Sequence, residues 1–288
     1  MPDPGGFGFR WFPPRAWGTM ETTMRPEAQK ISACVTAGNE EDKIAACLAS
    51  LAWCDEVVVV DSFSRDKTFE IAKQYTPLVH QHAWEGYIAQ KNYIRSLARF
   101  PWILFVDADE VVSDALRAEI ESAFAGDLGD CVGFRFPRQV HYLGKWIRHG
   151  EWYPDIKLRL FRKDRGHSAG QEPHDRVVVD GPVKTLRAPL LHFTYDNLAD
   201  HINTINRFSS ISAKGKYDHG DKFRWRDLLF RPMFRFLKSY VVKHGFLDGR
   251  QGFIIALMSA FAVFIKYAKL MELRIERGQP KKDSPPHG

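Results

Sequence analysis

Short apolar runs that break into polar, acid-bearing turns recur through the first third of the chain. Ile31-Ser32-Ala33-Cys34-Val35-Thr36-Ala37 ends at Gly38-Asn39-Glu40-Glu41, and Glu56 to Val60 ends at Asp61-Ser62-Phe63-Ser64-Arg65-Asp66-Lys67-Thr68. Ile103-Leu104-Phe105-Val106 runs into Asp107-Ala108-Asp109-Glu110. None of these runs alternates, as expected of parallel strands covered on both faces. Between them the period changes. Ile44, Cys47, Leu48 and Leu51 fall on one helical face, Phe69, Ile71 and Ala72 follow a stretch rich in capping residues, and Tyr87 to Leu97 reads as an amphipathic helix. Pro77-Leu78-Val79-His80 supplies a brief further strand. Strand, helix, strand, helix predicts an α/β fold with a doubly wound, mostly parallel sheet, whose ligand crevice lies at the carboxyl edge of the strands.

Three strands deliver polar groups to that edge: Asn39 and Glu40, Asp61, and Asp107 with Asp109. Carboxylates packed this closely repel unless a cation or a donor-rich ligand joins them. A divalent ion bridging to phosphate oxygens is their usual partner. The plainer alternative for the third strand, taken alone, is a strand end followed by a helix-capping loop.

Thr36-Ala37-Gly38-Asn39-Glu40-Glu41, the Asp-Ser-x-Ser-x-Asp-x-Thr of 61 to 68 and the Asp-Ala-Asp-Glu of 107 to 110 resemble inverting family 2 glycosyltransferases, and within them the lipopolysaccharide-core β-1,4-glucosyltransferase branch. The resemblance runs from about Ile31 to Leu270. It implies a GT-A fold, a nucleoside-diphosphate sugar donor, usually with UDP-glucose in this branch, and Mg²⁺ or Mn²⁺. By resemblance, Thr36, Gly38, Glu40 and Asp61 line the base and ribose, and Gln90, Lys91 and Asn92 approach the donor. Asp107 lies near the ribose and metal-bound water, and Asp109 is the direct metal ligand. Lys91 has the alternative of a solvated helix lysine, and Asp61 that of a capping carboxylate.

Inverting transfer needs a base to take the proton of the attacking hydroxyl. The family's His-acid pair aligns with His174-Asp175 in Gly170-Gln171-Glu172-Pro173-His174-Asp175, which makes Asp175 the first candidate. Asp stands where Glu is more usual in the branch, one methylene shorter, and Glu172 is its rival. Trp152 to Arg162 reads as a strand with a basic face (Lys157, Arg159) and an aromatic approach, so Trp152 and Arg159 are acceptor or phosphate candidates. Leu191-His192-Phe193 resembles the family's Leu-x-His strand. His192 is a candidate for the metal or diphosphate, with a structural histidine as the alternative.

Composition adds a second theme. The formal net charge is +6, and residues 222 to 243 carry seven basic side chains against the single acid Asp227, so the excess is local. Lys222, Arg224, Arg226, Arg231, Arg235, Lys238 and Lys243 alternate with Phe, Leu, Trp and Met, with Pro232 expected to break or kink the helix. Beyond Gly249, Phe253 to Ile265 is apolar except for Ser259; as a helix of 13 residues it extends only about 20 Å, short of the ~30 Å hydrocarbon core. This predicts an interfacial helical region on an anionic membrane, with Arg224, Arg226, Arg231, Arg235, Lys238 and Lys243 facing the headgroups. A helical hairpin packed on the catalytic domain or on a second subunit is the alternative. Nucleic acid is a poorer fit, because aliphatic side chains outnumber stacking rings and no binding motif appears.

The expected organisation is a disordered extension over 1–28, a glycosyltransferase domain over 29–215, a membrane-associating helical region over 216–275 and a disordered tail over 276–288. The extension has no apolar core of a signal peptide, and Met20 or Met24 are possible starts. Cys34, Cys47, Cys54 and Cys131 lack the paired spacing of a zinc site and read as buried thiols in a reducing compartment. The expected location is the inner face of the cytoplasmic membrane, with a lipid-linked saccharide as acceptor. Rival expectations are a polyprenyl-phosphate or capsule-precursor acceptor, and a non-catalytic sugar-nucleotide or glycan-binding protein. A nucleotidyltransferase is disfavoured because 38–41 is acidic where a basic Gly-rich loop is needed.

Overall fold

The computed structural model describes residues 25–172 and 174–278, apart from the side chains of His174, Arg277 and Gly278. The expected disorder over 1–24 and 279–288, and both possible starts, lie outside the described residues. The described chain divides into two compact units: residues up to Arg138 together with Ile156–His192, and Gln139–Asp155 together with the chain from Phe193 onward.

In the first unit, β1 (Ile31–Ala37), β2 (Glu56–Asp61), β3 (Val79–Gln81) and β4 (Trp102–Asp107) pair in parallel, in the order β3-β2-β1-β4. The sheet continues through β8 (Asp155–Arg162), β6 (Gly133–Tyr142) and β12 (Leu190–His192) to β5 (Glu110–Val112). β8 runs antiparallel to β4, and β12 antiparallel to β5. The α/β architecture and its mostly parallel first half are as expected. Of the second half, β8 and β12 answer to the strands expected over Trp152–Arg162 and at Leu191–Phe193, whereas β5 and β6 were not read from sequence. Every residue of β2 is buried, and Ile31, Val35, Val59, Leu104 and Val106 pack with Ile44, Cys47 and Leu48 of α1 (Ile44–Ala49) in one core. The opposite sheet face buries Cys34, Val58, Ile103 and Phe105 against Ile94 of α3 (Tyr87–Leu97). Burial on both faces is why these strands show no alternation. β9 (Gly166–Gln171) and β10 (His174–Val179) form a separate hairpin.

The second unit holds the end of β6, the short β7 (Lys145–Trp146), a 3-10 turn at Gly150–Trp152 and three helices: α5 (Leu198–Asp218), α6 (Trp225–Leu237) and α7 (Gly249–Gly278). Val140, Tyr142, Ile147 and Ile255 form one small core, and Ala213, Leu228, Tyr267 and Leu270 another.

Five expectations need correction. Residues 25–28 are ordered: Arg25 Nη1 lies 3.0 Å from Asp55 Oδ2, and Glu27–Gln29 form a 3-10 turn. At the other end, α7 runs on to Gly278, past the expected start of the tail at 276. The boundary at 215 falls inside α5, and the units part after His192, with 139–155 drawn into the second unit. Of the break or kink expected at Pro232, the break does not occur: α6 is helical from Trp225 to Leu237 and passes into a π turn at Lys238–Val242. The apolar segment belongs to a helix of 30 residues, because Tyr267 and Leu270 are buried on one side while Lys266 and Lys269 continue the helix on another. At about 45 Å, α7 exceeds the hydrocarbon thickness, and Gly245–Glu276 is long and apolar enough to cross a bilayer by length and composition alone. The length argument for an interfacial helix therefore fails.

Candidate active site

The carboxyl edge of the parallel strands is set by register. Thr36 pairs with Asp107, and Ala37 with Asp61, so β1, β2 and β4 end side by side. Chain geometry then turns the polar groups. Asn39 adopts a positive φ of 57°, a conformation that asparagine tolerates better than most residues. Its side chain accepts from Arg65 N at 2.9 Å, and its N–H donates to Ser64 Oγ at 2.8 Å. The first two strand-end loops are thereby tied together next to the exposed Gly38.

Asp61 is fully buried and satisfied: Oδ2 accepts from Ser64 N at 3.1 Å and from Gln81 Nε2 at 3.0 Å. It caps its own turn, while Asp66 serves the start of α2 (Thr68–Lys73) by accepting from Thr68 N at 3.0 Å. Glu40 pairs with Lys43 at 3.7 Å, and its N–H is held by Thr68 Oγ1 at 2.8 Å. Gln90, buried on α3, bonds His82 Nδ1 at 2.9 Å and Ser62 Oγ at 3.0 Å. Asn92 is committed to the β9 backbone, donating to Ser168 O at 2.8 Å and accepting from Ser168 N at 3.0 Å, which pins the β9–β10 hairpin to α3.

Lys91 is the centre of the site. It is 4% exposed, which removes the solvated-lysine alternative. Its Nζ lies 3.2 Å from Asp107 Oδ1 and 3.0 Å from Asp175 Oδ2, so it ties a strand-end acid to the hairpin acid. Arg159, also buried, reaches Asp107 Oδ2 at 2.8 Å and Glu110 Oε1 at 3.1 Å, and Arg138 adds 3.4 Å to Glu110. Three cations thus meet three carboxylates. Burial alone would push the Asp107 carboxyl up; Arg159 and Lys91, with Arg138 behind, hold it well below the usual carboxylate range. Burial would likewise lower Arg159, and Asp107 and Glu110 instead raise it, so both stay charged. Beneath them, burial and then Glu110, Asp109 and Asp107 push the Cys47 thiol far up, leaving it an inert core residue.

Asp109 lies outside that network. Its Oδ2 is 2.9 Å from His192 Nε2, and His192 Nδ1 is buried with no hydrogen-bond partner. β12 runs antiparallel to β5 with His192 opposite Glu110, which places the imidazole beside the acidic turn. Among the described residues no cluster of three or more His, Cys, Asp or Glu forms a closed metal cage. One carboxylate and one imidazole is a donor set that fits Mn²⁺ or Mg²⁺ brought with a diphosphate.

The structure separates the two base candidates. Asp175 faces Lys91, whereas Glu172 is exposed and its Oε1 accepts from Ile88 N at 2.9 Å, serving an orphan N–H at the start of α3. Trp152 and Arg159 are also parted. The strand expected from Trp152 begins only at Asp155, and Trp152 sits in the 3-10 turn of the second unit among Tyr142, Tyr195 and His201. Sequence reasoning gave no role to Glu110, which accepts from Asp107 N at 3.0 Å and orients both Asp107 and Arg159. Its signal was present: an acid directly followed by the apolar pair Val111-Val112 returns into the sheet. Arg138 carried no such signal.

The family profile described as Glycosyl transferase family 2 matches residues 32–184, which span all three acidic strand ends and Asp175. The chain belongs to glycosyltransferase family 2. It is similar to the uncharacterized glycosyltransferase RT0209 of Rickettsia typhi, 31% identical over 261 residues, covering 86% of this chain and 89% of that protein. It is also similar to the lipopolysaccharide core biosynthesis glycosyltransferase LpsC of Rhizobium meliloti, 30% identical over 260 residues and covering 88% and 96%. Among solved structures, residues 1–349 of S. aureus TarS in complex with UDP-GlcNAc align over 88% of this chain and 93% of that one, with 16% identity and a TM-score of 0.46. This glycosyltransferase therefore transfers a sugar, with its family's acidic motifs at one sheet edge.

Proposed function

We propose that this glycosyltransferase moves a hexose, glucose from UDP-glucose, onto a lipid-linked saccharide of the lipopolysaccharide inner core, with inversion and by a single displacement. The observation that carries the reading is Lys91, which holds Asp107 and Asp175 on one buried ammonium. The likeness to LpsC supports the acceptor class.

Asp175 is the base. As the acceptor hydroxyl oxygen bonds to the anomeric carbon, its proton passes to the Asp175 carboxylate, and the bond from the anomeric carbon to the diphosphate breaks on the opposite face. Lys91 stays protonated and positions that carboxylate; Glu172 is left to cap α3. Thr36, Gly38, Glu40, Asp61, Gln90 and Asp107 would form the nucleotide side of the site. Asp109 and His192 would hold a divalent ion, which when bound neutralises charge on the leaving diphosphate. Arg159 and Glu110 fix Asp107 between them. The exposed apolar and basic helices of the second unit support work at the inner face of the cytoplasmic membrane, where a lipid-linked acceptor is concentrated.

The test is nucleoside-diphosphate release from a panel of sugar nucleotides with Mn²⁺, Mg²⁺ or EDTA and a truncated lipopolysaccharide acceptor. UDP release from UDP-glucose alone, dependent on acceptor and abolished by EDTA, Asp109→Ala and Asp175→Ala, is the expected result. Full activity in Asp175→Ala with loss in Glu172→Ala would move the base. Turnover only with a polyprenyl-phosphate or capsule precursor would replace the acceptor.

A further inference from the structure

The turn that follows β2 carries a residue its backbone does not favour. Phe63 has a φ of 55°, in the left-handed region that glycine and asparagine enter readily and a bulky side chain does not. In the turn after β1 the left-handed position, with a φ of 57°, is filled by Asn39, a residue suited to it. Phe63 is also 57% exposed. A single exposed apolar side chain is ordinary; one that is exposed on an unfavourable backbone carries two costs.

The fold returns little for them. Phe63 belongs to neither hydrophobic core of the first unit, and among the described residues no aromatic ring or cation packs against it. Trp84, the other described aromatic side chain of that unit that is more than half exposed, stands edge-on to Tyr87 at 4.7 Å.

Hydrogen bonds fix the turn on both sides of the ring. Ser62 N donates to Ala37 O at 2.9 Å, and Ser62 Oγ accepts from Gln90 Nε2 at 3.0 Å. Ser64 N donates to Asp61 Oδ2 at 3.1 Å, and Ser64 Oγ accepts from Asn39 N at 2.8 Å. The neighbours of Phe63 therefore impose its backbone conformation, and the ring is presented on a pre-set turn, which lowers the ordering cost of a contact with a ligand.

Those neighbours belong to the nucleotide side of the site. Asp61 lies two residues back, Gln90 bonds Ser62, and a Cβ on Gly38 would come within 3.8 Å of Ser62 Cβ. The flat, weakly hydrated part of a nucleoside-diphosphate sugar is its base, and an aromatic ring stacks on the face of any base. Ser62, Ser64, Arg65 and Asp66 around the ring are polar, so no apolar patch suited to a lipid or protein partner forms there.

We infer that Phe63 is the stacking platform for the base of the donor. The inference rests on the nucleotide reading of this edge and is independent of which sugar is transferred and to what acceptor.

The experiment is calorimetric titration of the full chain with UDP and with inorganic pyrophosphate, both with Mg²⁺, for the parent, Phe63→Gly, Phe63→Leu and Phe63→Tyr. Pyrophosphate offers the charge of the diphosphate without a base. Stacking on one aromatic side chain contributes about five-fold to 150-fold in binding. Phe63→Gly should therefore bind UDP at least five-fold more weakly than the parent, and Phe63→Tyr should bind it as the parent does. Phe63→Leu keeps the apolar bulk and the backbone cost but loses the flat ring, and should weaken UDP binding nearly as much as Phe63→Gly. Pyrophosphate should bind all four proteins alike. Phe63→Gly should melt no lower than the parent, because glycine adopts this backbone freely.

Equal UDP binding by the parent and Phe63→Gly would overturn the platform and leave the nucleotide reading standing. An equal loss of pyrophosphate binding, or a Phe63→Gly protein that melts several degrees lower, would overturn it by giving the ring a role in the fold. Parent-like UDP binding by Phe63→Leu would overturn stacking. A parent that binds pyrophosphate but no UDP would overturn both the platform and the nucleotide reading.

Discussion

The acidic edge of the first unit and the basic helices of the second handle charge in opposite ways. At the edge, Lys91 and Arg159 are buried and each touches two carboxylates, so Asp107, Asp175 and Glu110 are all paired at fixed distances. Arg224 just before α6, and Arg226, Arg231 and Arg235 on it, are exposed on a helix that also exposes Phe230 and Phe234, with ion-pair partners for only some of them among the described residues. The first arrangement fixes the positions of its carboxylates, as a site for a small ligand would require. The second supplies a field and an apolar surface, suited to a partner with no fixed shape. The contrast teaches that one chain can hold one set of charges rigidly among buried carboxylates and leave another loose on an exposed helical face.

The largest effect that would sharpen this contrast is on turnover. Asp175→Asn preserves shape but cannot take a proton, and kcat is expected to fall by roughly 10²- to 10⁴-fold, with some loss of stability because Lys91 loses one of its two carboxylates. A fall of less than ten-fold would detach the hairpin acid from the chemistry. Next, Arg159→Met leaves Asp107 and Glu110 short of a buried partner and should cost about 3–5 kcal/mol in urea unfolding. A cost under 1 kcal/mol would mean that the edge is no more fixed than the helices.

A third effect belongs to the second unit's own core. His201 is buried, bonds Tyr142 Oη through Nδ1 at 2.8 Å, and burial lowers its pKa to about 4, with Asp200 opposing weakly. Between that value and the ordinary histidine pKa near 6.5, the unfolded chain holds a proton that the folded chain does not. Stability should therefore be full above about pH 6.5 and fall as pH drops toward 4, by up to roughly 3 kcal/mol. Thermal melts at pH 7 and 5 should show a smaller drop for His201→Asn than for the parent; equal drops would place the titration elsewhere. The smallest effect is expected at Phe234, whose replacement by Ser should change stability by no more than about 0.5 kcal/mol. The same change should reduce recovery with membranes, and a large stability loss would make the face a core.

Glycine geometry marks a second fixed point in the otherwise open helical region. A Cβ on Gly252 would meet the Gly245 carbonyl oxygen, and Gly249 adopts a φ of 65°. The turn into α7 is therefore closely packed, while the faces on either side of it stay exposed.

The local pattern of the chain determined the parallel strands, their helices and the three acidic strand ends. Uninterrupted apolar runs can be buried only on both faces, and strand ends must turn through polar, capping residues. Tyr87 to Leu97 is a helix with the bounds its periodicity predicts. The motifs of 36–41, 61–68 and 107–110 were sufficient to indicate the family that the profile match shows. Tertiary structure alone decided the rest. Which carboxylate meets Lys91 depends on how β9–β10 docks on α3, a contact between residues 84 positions apart. The clamp of Glu110 on Arg159 joins residues 49 apart, and Trp152 left its expected strand for the second unit. The length of α7 was hidden because its charged residues share a helix with buried Tyr267 and Leu270. Local sequence records burial and backbone preference; ion pairs between distant elements depend on the docking of those elements, and that is fixed only when the chain is packed.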